Sequence, residues 1–227
     1  IMPLATNGNV ITGLGTHQAE YHGWLCDNGA AVAFVAGALD TIARAAPEKS
    51  MRLRYLPPAT PQAVIDYLTR RNDRIILTRH HVHELALDPA AIERSLKKKG
   101  NKSKLNRLKR QGDLDVRRLD AEDLAVHMRR ITTMYDFRQG AINGVCPFLD
   151  DSKKAAFHLD WIKGAPQQLH ATALMVDDEL VSGLLLVMSK TGVHLAISAH
   201  APEHAENSPM KFHLYRAALA LAEEGRR

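Results

Sequence analysis

Toward the C-terminal end, His194, Ala196, Ser198 and His200 fall on alternate positions, and Val193, Leu195, Ile197 and Ala199 on those between. In an extended strand this spacing sends the first four to one face. A small, polar face ending in an imidazole suits proton transfer, because histidine titrates near neutral pH. His200, at the strand's end, is therefore the candidate general base. Histidines on a half-exposed strand, each taken singly, fit a plain solvated face better, and with 12 in the chain chance placement is easy. Arg138, between Phe137 and Gln139, is a candidate for binding an anionic group. Asp136 is a second catalytic candidate, as base or acceptor contact; together with Arg138 it also fits an ion pair that holds a loop. Tyr135 and Phe148 read as core packing.

Asn207-Ser208-Pro209 has the composition of a helix start, with Pro209 at the first helical position. The unpaired N–H groups of such an end suit an anion, and Lys211 adds positive charge. The same tripeptide serves as well for a helix start with no ligand. His80-His81-Val82-His83 places His81 and His83 on one strand face, a two-ligand arm. No third or fourth ligand accompanies them, so no metal is expected. Between Arg94 and Arg118 stand Lys97, Lys98, Lys99, Lys102, Lys104, Arg107, Lys109, Arg110 and Arg117, against only Asp113 and Asp115. Such a field attracts an anionic partner without naming it. The run lacks interleaved aromatics and any nucleic-acid motif, which disfavours nucleic acid.

The elements that must hold these residues follow from period and punctuation. The first half reads as strands at 10–15 and 51–56 and an Ala-rich helix at 30–45. A second helix is capped by Thr60 with Pro61 at its first position, and an extended segment at 74–87 follows the break at Asn72-Asp73. Asp88-Pro89 opens the basic helix, Gly100-Asn101 interrupts it and Gly112 closes it. A short strand at 114–119 precedes a helix capped by Asp120, whose Leu124, Met128, Ile131 and Tyr135 recur at helical spacing. Residues 136–149 read as a loop, and Asp150 caps a further helix. Strands at 169–176, 180–188 and 193–199, joined by short turns, make a β-meander. A helix from Asn207-Ser208-Pro209 to about residue 224 ends the sequence.

The 227 residues carry 45% hydrophobic and 24% charged positions and a net charge of +5, the profile of an ordinary globular chain with room for a real core. No apolar run reaches the ~18 residues that span a bilayer, and a cytoplasmic protein is expected. Cys26 and Cys146 have no metal or redox spacing and read as reduced thiols. Ile1-Met2-Pro3-Leu4 reads like the middle of a strand, so the sequence is expected to begin inside a larger protein.

The order of these elements resembles the BioF2-like, or CelD-type, acetyltransferase domain of the GNAT superfamily. The resemblance rests on the basic helix from Ser95-Leu96-Lys97-Lys98-Lys99 to Leu108-Lys109-Arg110-Gln111-Gly112, on Tyr135-Asp136-Phe137-Arg138-Gln139-Gly140, and on Phe148-Leu149-Asp150. The hairpin at 174–187 and Ser208-Pro209 complete it, over about residues 90–225. More weakly, residues 1–25 resemble the segment upstream. Met210 stands where the family usually has Gly, and the chain stops before the final strands the family adds.

The resemblance implies an α/β (α+β) fold with a mixed, largely antiparallel sheet flanked by helices. It implies tandem GNAT-like units, the first, 1–88, incomplete and the second, 89–227, the acyltransferase domain. It implies an acyl-CoA donor and an amine or hydroxyl acceptor such as a sugar, in polysaccharide or cell-envelope biosynthesis. The pantetheine arm would lie where the strands at 180–188 and 193–199 splay, with a backbone N–H of the first as oxyanion donor. Asn207, Ser208, Met210 and Lys211 would bind the cofactor's pyrophosphate, and Arg138 the substrate. Fem-type transferases share the tandem architecture and use aminoacyl-tRNA, which makes tRNA an alternative donor. A non-catalytic scaffold binding an anionic partner through the basic helix is the other alternative.

Overall fold

The computed structural model describes residues 1–15, 21–71, 75–80, 84–189 and 192–226. The chain divides into two compact units, Ile1–His83 and Glu84–Arg227. In the first, β1 (Leu4–Asn7) returns antiparallel as β2 (Val10–Gly13) through Gly8 at φ 55°, a region glycine enters without steric cost. β2 pairs in parallel with β3 (Ser50–Arg52), and α1 (Ala31–Ala45) provides the crossover that parallel pairing requires. α1 packs Ala31 and Val35 against Val64 and Leu68 of α2 (Gln62–Arg70).

Two expectations fail in this unit. The second helix is capped by Pro61 rather than Thr60, whose hydroxyl donates instead to the Pro57 carbonyl at 2.6 Å. The segment 74–87 forms no strand in its described residues. Ile76 is 91% exposed, so the apolar run has no sheet to bury against. Asn72, Asp73, His81 and His83 lie outside the described residues.

The second unit opens with α3 (Pro89–Lys97), where Asp88 accepts from the Ala91 N–H at 3.1 Å and Pro89 holds the first position, as expected. The break falls at Lys98 (ψ 137°), so Gly100 and Asn101 lie inside α4 (Lys99–Lys109). After β4 (Leu114–Leu119), Asp120 caps α5 (Ala121–Asn143) by accepting from the N–H groups of Glu122 and Asp123. α5 runs unbroken to Gly144 at φ 68°, so Asp136 and Arg138 are helical, not in a loop. α6 (Pro147–Asp150) follows. α7 (Lys153–Gly164) starts after Ser152, not Asp150, and Asp151 takes the Lys153 N–H at 3.0 Å.

β5 (Leu169–Val176), β6 (Glu179–Met188) and β7 (Val193–His200) form the expected meander, and β4 joins it in the order β4-β5-β6-β7, every pair antiparallel. β6 and β7 are paired from Ser182↔His200 to Met188↔Val193. The expected splay between them is therefore absent.

The register skips one residue on β7, Ala196, between Leu186↔Leu195 and Leu185↔Ile197. Such a bulge reverses which face later residues take. His194 lies opposite Val187, which packs with α5, whereas His200 lies opposite Ser182 on the other face. The four-residue face read from alternation is thus split. α5 and α7 cover one side of the sheet through Leu124, Met128, Ile131 and Ile162. α8 (Pro209–Glu223) covers the other with Ala217 and Leu221 against Leu184 and Leu186. Among the described residues, no helix is long and apolar enough to cross a membrane.

Candidate active site

β7 is an edge strand, and among the described residues nothing pairs with its outer side. The Ala201 N–H donates inward to the Val181 carbonyl at 2.8 Å. Alternation along an antiparallel ladder then turns the N–H groups of Ser198 and His200 outward. Arg138 approaches this edge from α5, donating to the Ser198 hydroxyl in a long 3.4 Å contact. His200 is half-buried, and its Nδ1 is enclosed without a hydrogen-bond partner. Burial, and then the Arg138 charge, push its pKa below the usual histidine value, so the ring is neutral at pH 7 and able to accept a proton. Arg138, Ser198 and His200 are thus brought together.

Asp136 is not among them. Its two oxygens accept from the N–H groups of Phe148 and Leu149 at 2.9 and 2.8 Å, which anchors the start of α6. Phe148 stacks edge-on against Tyr135 with ring centroids 5.4 Å apart, the core packing expected of both.

Beyond β7, a 3-10 turn (Pro202–Asn207) leads to Ser208, whose φ of 53° lies in the left-handed region, and then to α8. Ser208 and Lys211 spend their N–H groups on the carbonyls of Ala205 and Ser208. Pro209 has none. The Met210 N–H makes no hydrogen bond among the described residues. The replacement of Gly by Met at 210 therefore leaves the amide available, while its side chain packs with Leu184 and Leu186. Asn207 is 1% exposed, and its Oδ1 has no partner. Lys211 donates to Asn101 Oδ1 at 3.1 Å and lies over the Tyr215 ring.

Sequence reasoning missed Lys104, which donates to the Ser208 hydroxyl at 2.8 Å. In the sequence it is one of nine cations. Its signal is positional: with Asn101, Leu105 and Leu108 it forms the inward stripe of α4.

Two other groups are a cavity at the far edge of the sheet and an acidic cluster that includes the 3-10 turn. A cavity of about 480 Å³ borders Arg118, Asp120 and Lys163 at the β4 edge, across the sheet from β7. Glu179, Glu203 and His204 have potential ligand atoms within 4.8 Å of one another. Arg130 already bonds Glu203 at 2.7 Å and Glu179 at 3.5 Å.

A family model described as the acetyltransferase (GNAT) domain matches residues 95–227, more than half of the chain. The chain belongs to this family. This GNAT domain is by class an acyltransferase. No curated protein sequence matches the chain. It is similar to the C-terminal domain (DUF2156) of a putative lysylphosphatidylglycerol synthetase from Agrobacterium fabrum, with 14% identity and a TM-score of 0.56 over 99% of this chain and 64% of that one. The chain thus spans less than two thirds of that structure, and the likeness is one of fold. It is similar also to the PaiA N-acetyltransferase from Thermoplasma acidophilum, solved in complex with coenzyme A. There the identity is 15% and the TM-score 0.42, over 50% of this chain and 75% of that one.

Proposed function

We propose that this GNAT domain transfers an acyl group from acyl-CoA to an amine or hydroxyl along the outer edge of β7. The observation that carries the reading is continuity. Outward N–H groups at Ser198 and His200 lead, within one stretch of chain, to the unbonded N–H of Met210 at the mouth of α8. An extended, amide-bearing arm suits a strand edge, and phosphates suit a helix N-terminus.

Asn207, Ser208, Met210 and Lys211 would hold the carrier's phosphates. Bound there, acyl-CoA supplies a thioester and, on transfer, a thiolate leaving group. His200 accepts the proton released as the acceptor's nitrogen or oxygen bonds to the acyl carbon. An edge N–H of β7 faces the charge that builds on the thioester oxygen. Arg138 engages an anionic group of the acceptor. Asp136 supports the base indirectly, by fixing the segment that carries Arg138.

The resemblance to BioF2-like and CelD-type proteins supports a sugar or other cell-envelope precursor as acceptor and a cytoplasmic setting. It also supports reading residues 1–88 as an incomplete GNAT-like unit ahead of the domain at 89–227. Calorimetry with acetyl-CoA, followed by thiol-release assays with amino sugars, tests the proposal. Micromolar binding with acceptor-dependent thiol release is expected. Absence of CoA binding alongside salt-steep binding of tRNA would replace acyl-CoA with an aminoacyl-tRNA donor.

A further inference from the structure

Lys154 stands where packing alone would place an apolar residue. The buried stripe of α7 is Lys154, His158 and Ile162, and Lys154 is only 7% exposed. Among the described residues no carboxylate lies within ion-pair distance of its ammonium, and no hydrogen bond reaches it. The two acids whose charges act on it are engaged elsewhere, Asp136 by the N–H groups of Phe148 and Leu149 and Asp151 by that of Lys153. The ammonium is instead seated on rings: Nζ lies 5.0 Å from the Phe148 centroid and 5.9 Å from that of Tyr135. The part of the side chain still open includes Nζ. Burial lowers its pKa, against the opposing charges of Asp136 and Asp151. An apolar side chain of similar length would avoid that desolvation. A buried cation held by two rings, with its tip open and no counter-charge, is half of a pairing that an anionic ligand completes.

The position of Lys154 says which ligand that is. Tyr135 and Arg138 lie three residues apart on one face of α5. Arg138 acts electrostatically on Tyr135, so the two cations share that tyrosine as a neighbour. Arg138 in turn reaches Ser198 on the β7 edge. We infer that Lys154 is a specificity-determining residue by which the domain prefers an acceptor that carries a carboxylate or phosphate group besides the amine or hydroxyl to be acylated. This rests on the reading of the β7 edge as the place of acyl transfer and of Arg138 as a contact to the acceptor. Lys153, the neighbour in sequence, is exposed and serves as the control.

The test is thiol release from acetyl-CoA by the whole chain with three acceptors: glucosamine, glucosamine 6-phosphate and glucosaminuronic acid. The two acids distinguish a phosphate from a carboxylate partner. The native chain is expected to prefer at least one acid over glucosamine by about ten-fold or more in kcat/KM, as a charge-assisted contact does. Lys154→Met fills similar space without the charge. It should erase that preference through KM, with kcat for the acid nearly unchanged, and should hold or raise the urea midpoint. Lys153→Gln should alter the preference less than about two-fold. No preference in the native chain, or one that survives in Lys154→Met, would overturn the inference and leave acyl transfer to glucosamine standing. So would a lowered urea midpoint with all three acceptors impaired alike, which would make Lys154 a structural residue. If no acceptor releases thiol, calorimetry with the two acids decides. Binding that is lost in Lys154→Met keeps the anion site and removes the acyl-CoA reading, whereas no binding removes both.

Discussion

Two influences act on His200 in the same direction. Enclosure removes water from the imidazolium, and the Arg138 guanidinium repels it, so the folded pKa sits below that of a free histidine. The base form therefore persists as pH falls through 6.5 and is lost only below the depressed value. kcat/KM should be flat above neutrality and decline on the acid side. His200→Gln should lower kcat about 10²- to 10⁴-fold and abolish that acid limb. Arg138→Gln removes the smaller cause and should move the limb to higher pH. A limb that survives in His200→Gln would show that another group is the base. Asp136 offers a contrast within the same helix. Because both oxygens are engaged by backbone N–H groups at the start of α6, Asp136→Ala should cost about 1–2 kcal/mol of stability, read from a urea midpoint. A loss of activity without that shift would instead place Asp136 in the chemistry.

Between elements, β6 approaches α5 closely at Gly183. A Cβ at Gly183 would lie 2.5 Å from Ile131 Cγ1, a buried branched side chain with no room to retreat. Gly183→Ala should destabilise the unit by about 1–3 kcal/mol, and because Ile131 lies two turns from Arg138 on one helix, it should also raise the acceptor KM. Unaltered denaturation would mean that α5 is not seated against β6. What was legible in the sequence divides along similar lines. The meander, the Asp88 and Asp120 caps and the start of α8 rest on local period and turn chemistry, and their outlines were visible. α5 reads as ending near Tyr135 because its apolar stripe of Leu124, Met128, Ile131 and Tyr135 stops there, whereas in place the helix runs on to Gly144. The Ala196 bulge was hidden, since a period of two carries no mark of an extra residue. His200 could thus be named from its type, but its separation from His194 could not. Nor could the bond between Lys104 and Ser208, 104 residues apart, because pairings at that separation exist only after folding.

At the scale of the whole chain, the second unit carries an unusual core. His213 is fully buried between α8 and the sheet, its two ring nitrogens bonded to the hydroxyls of Thr172 at 2.8 Å and Ser182 at 2.5 Å. Burial pushes its pKa down to about 3, and burial also lowers those of His158 and His170. Unfolded, each would titrate near 6.5. Above that pH neither state binds a proton on these rings, and the network's contribution is complete. Between about 6.5 and about 3 the unfolded chain takes up a proton that folded His213 refuses, so stability falls as pH falls, by about 1.4 kcal/mol per pH unit for this one group. Across that window the group removes about 5 kcal/mol at most, comparable with the low end of a typical domain stability of about 5–15 kcal/mol. Carboxylates such as Glu203, whose pKa is also lowered, act in the same direction, so the wild-type slope alone cannot be assigned. His213→Gln separates them, because a glutamine amide can bond both hydroxyls without titrating. Urea midpoints from pH 7.5 to 4.5 should fall less steeply in the variant by close to one proton equivalent. Identical slopes would mean that His213 is charged in the folded state, and with it that the buried pairing of α8 to β5 and β6 is not neutral.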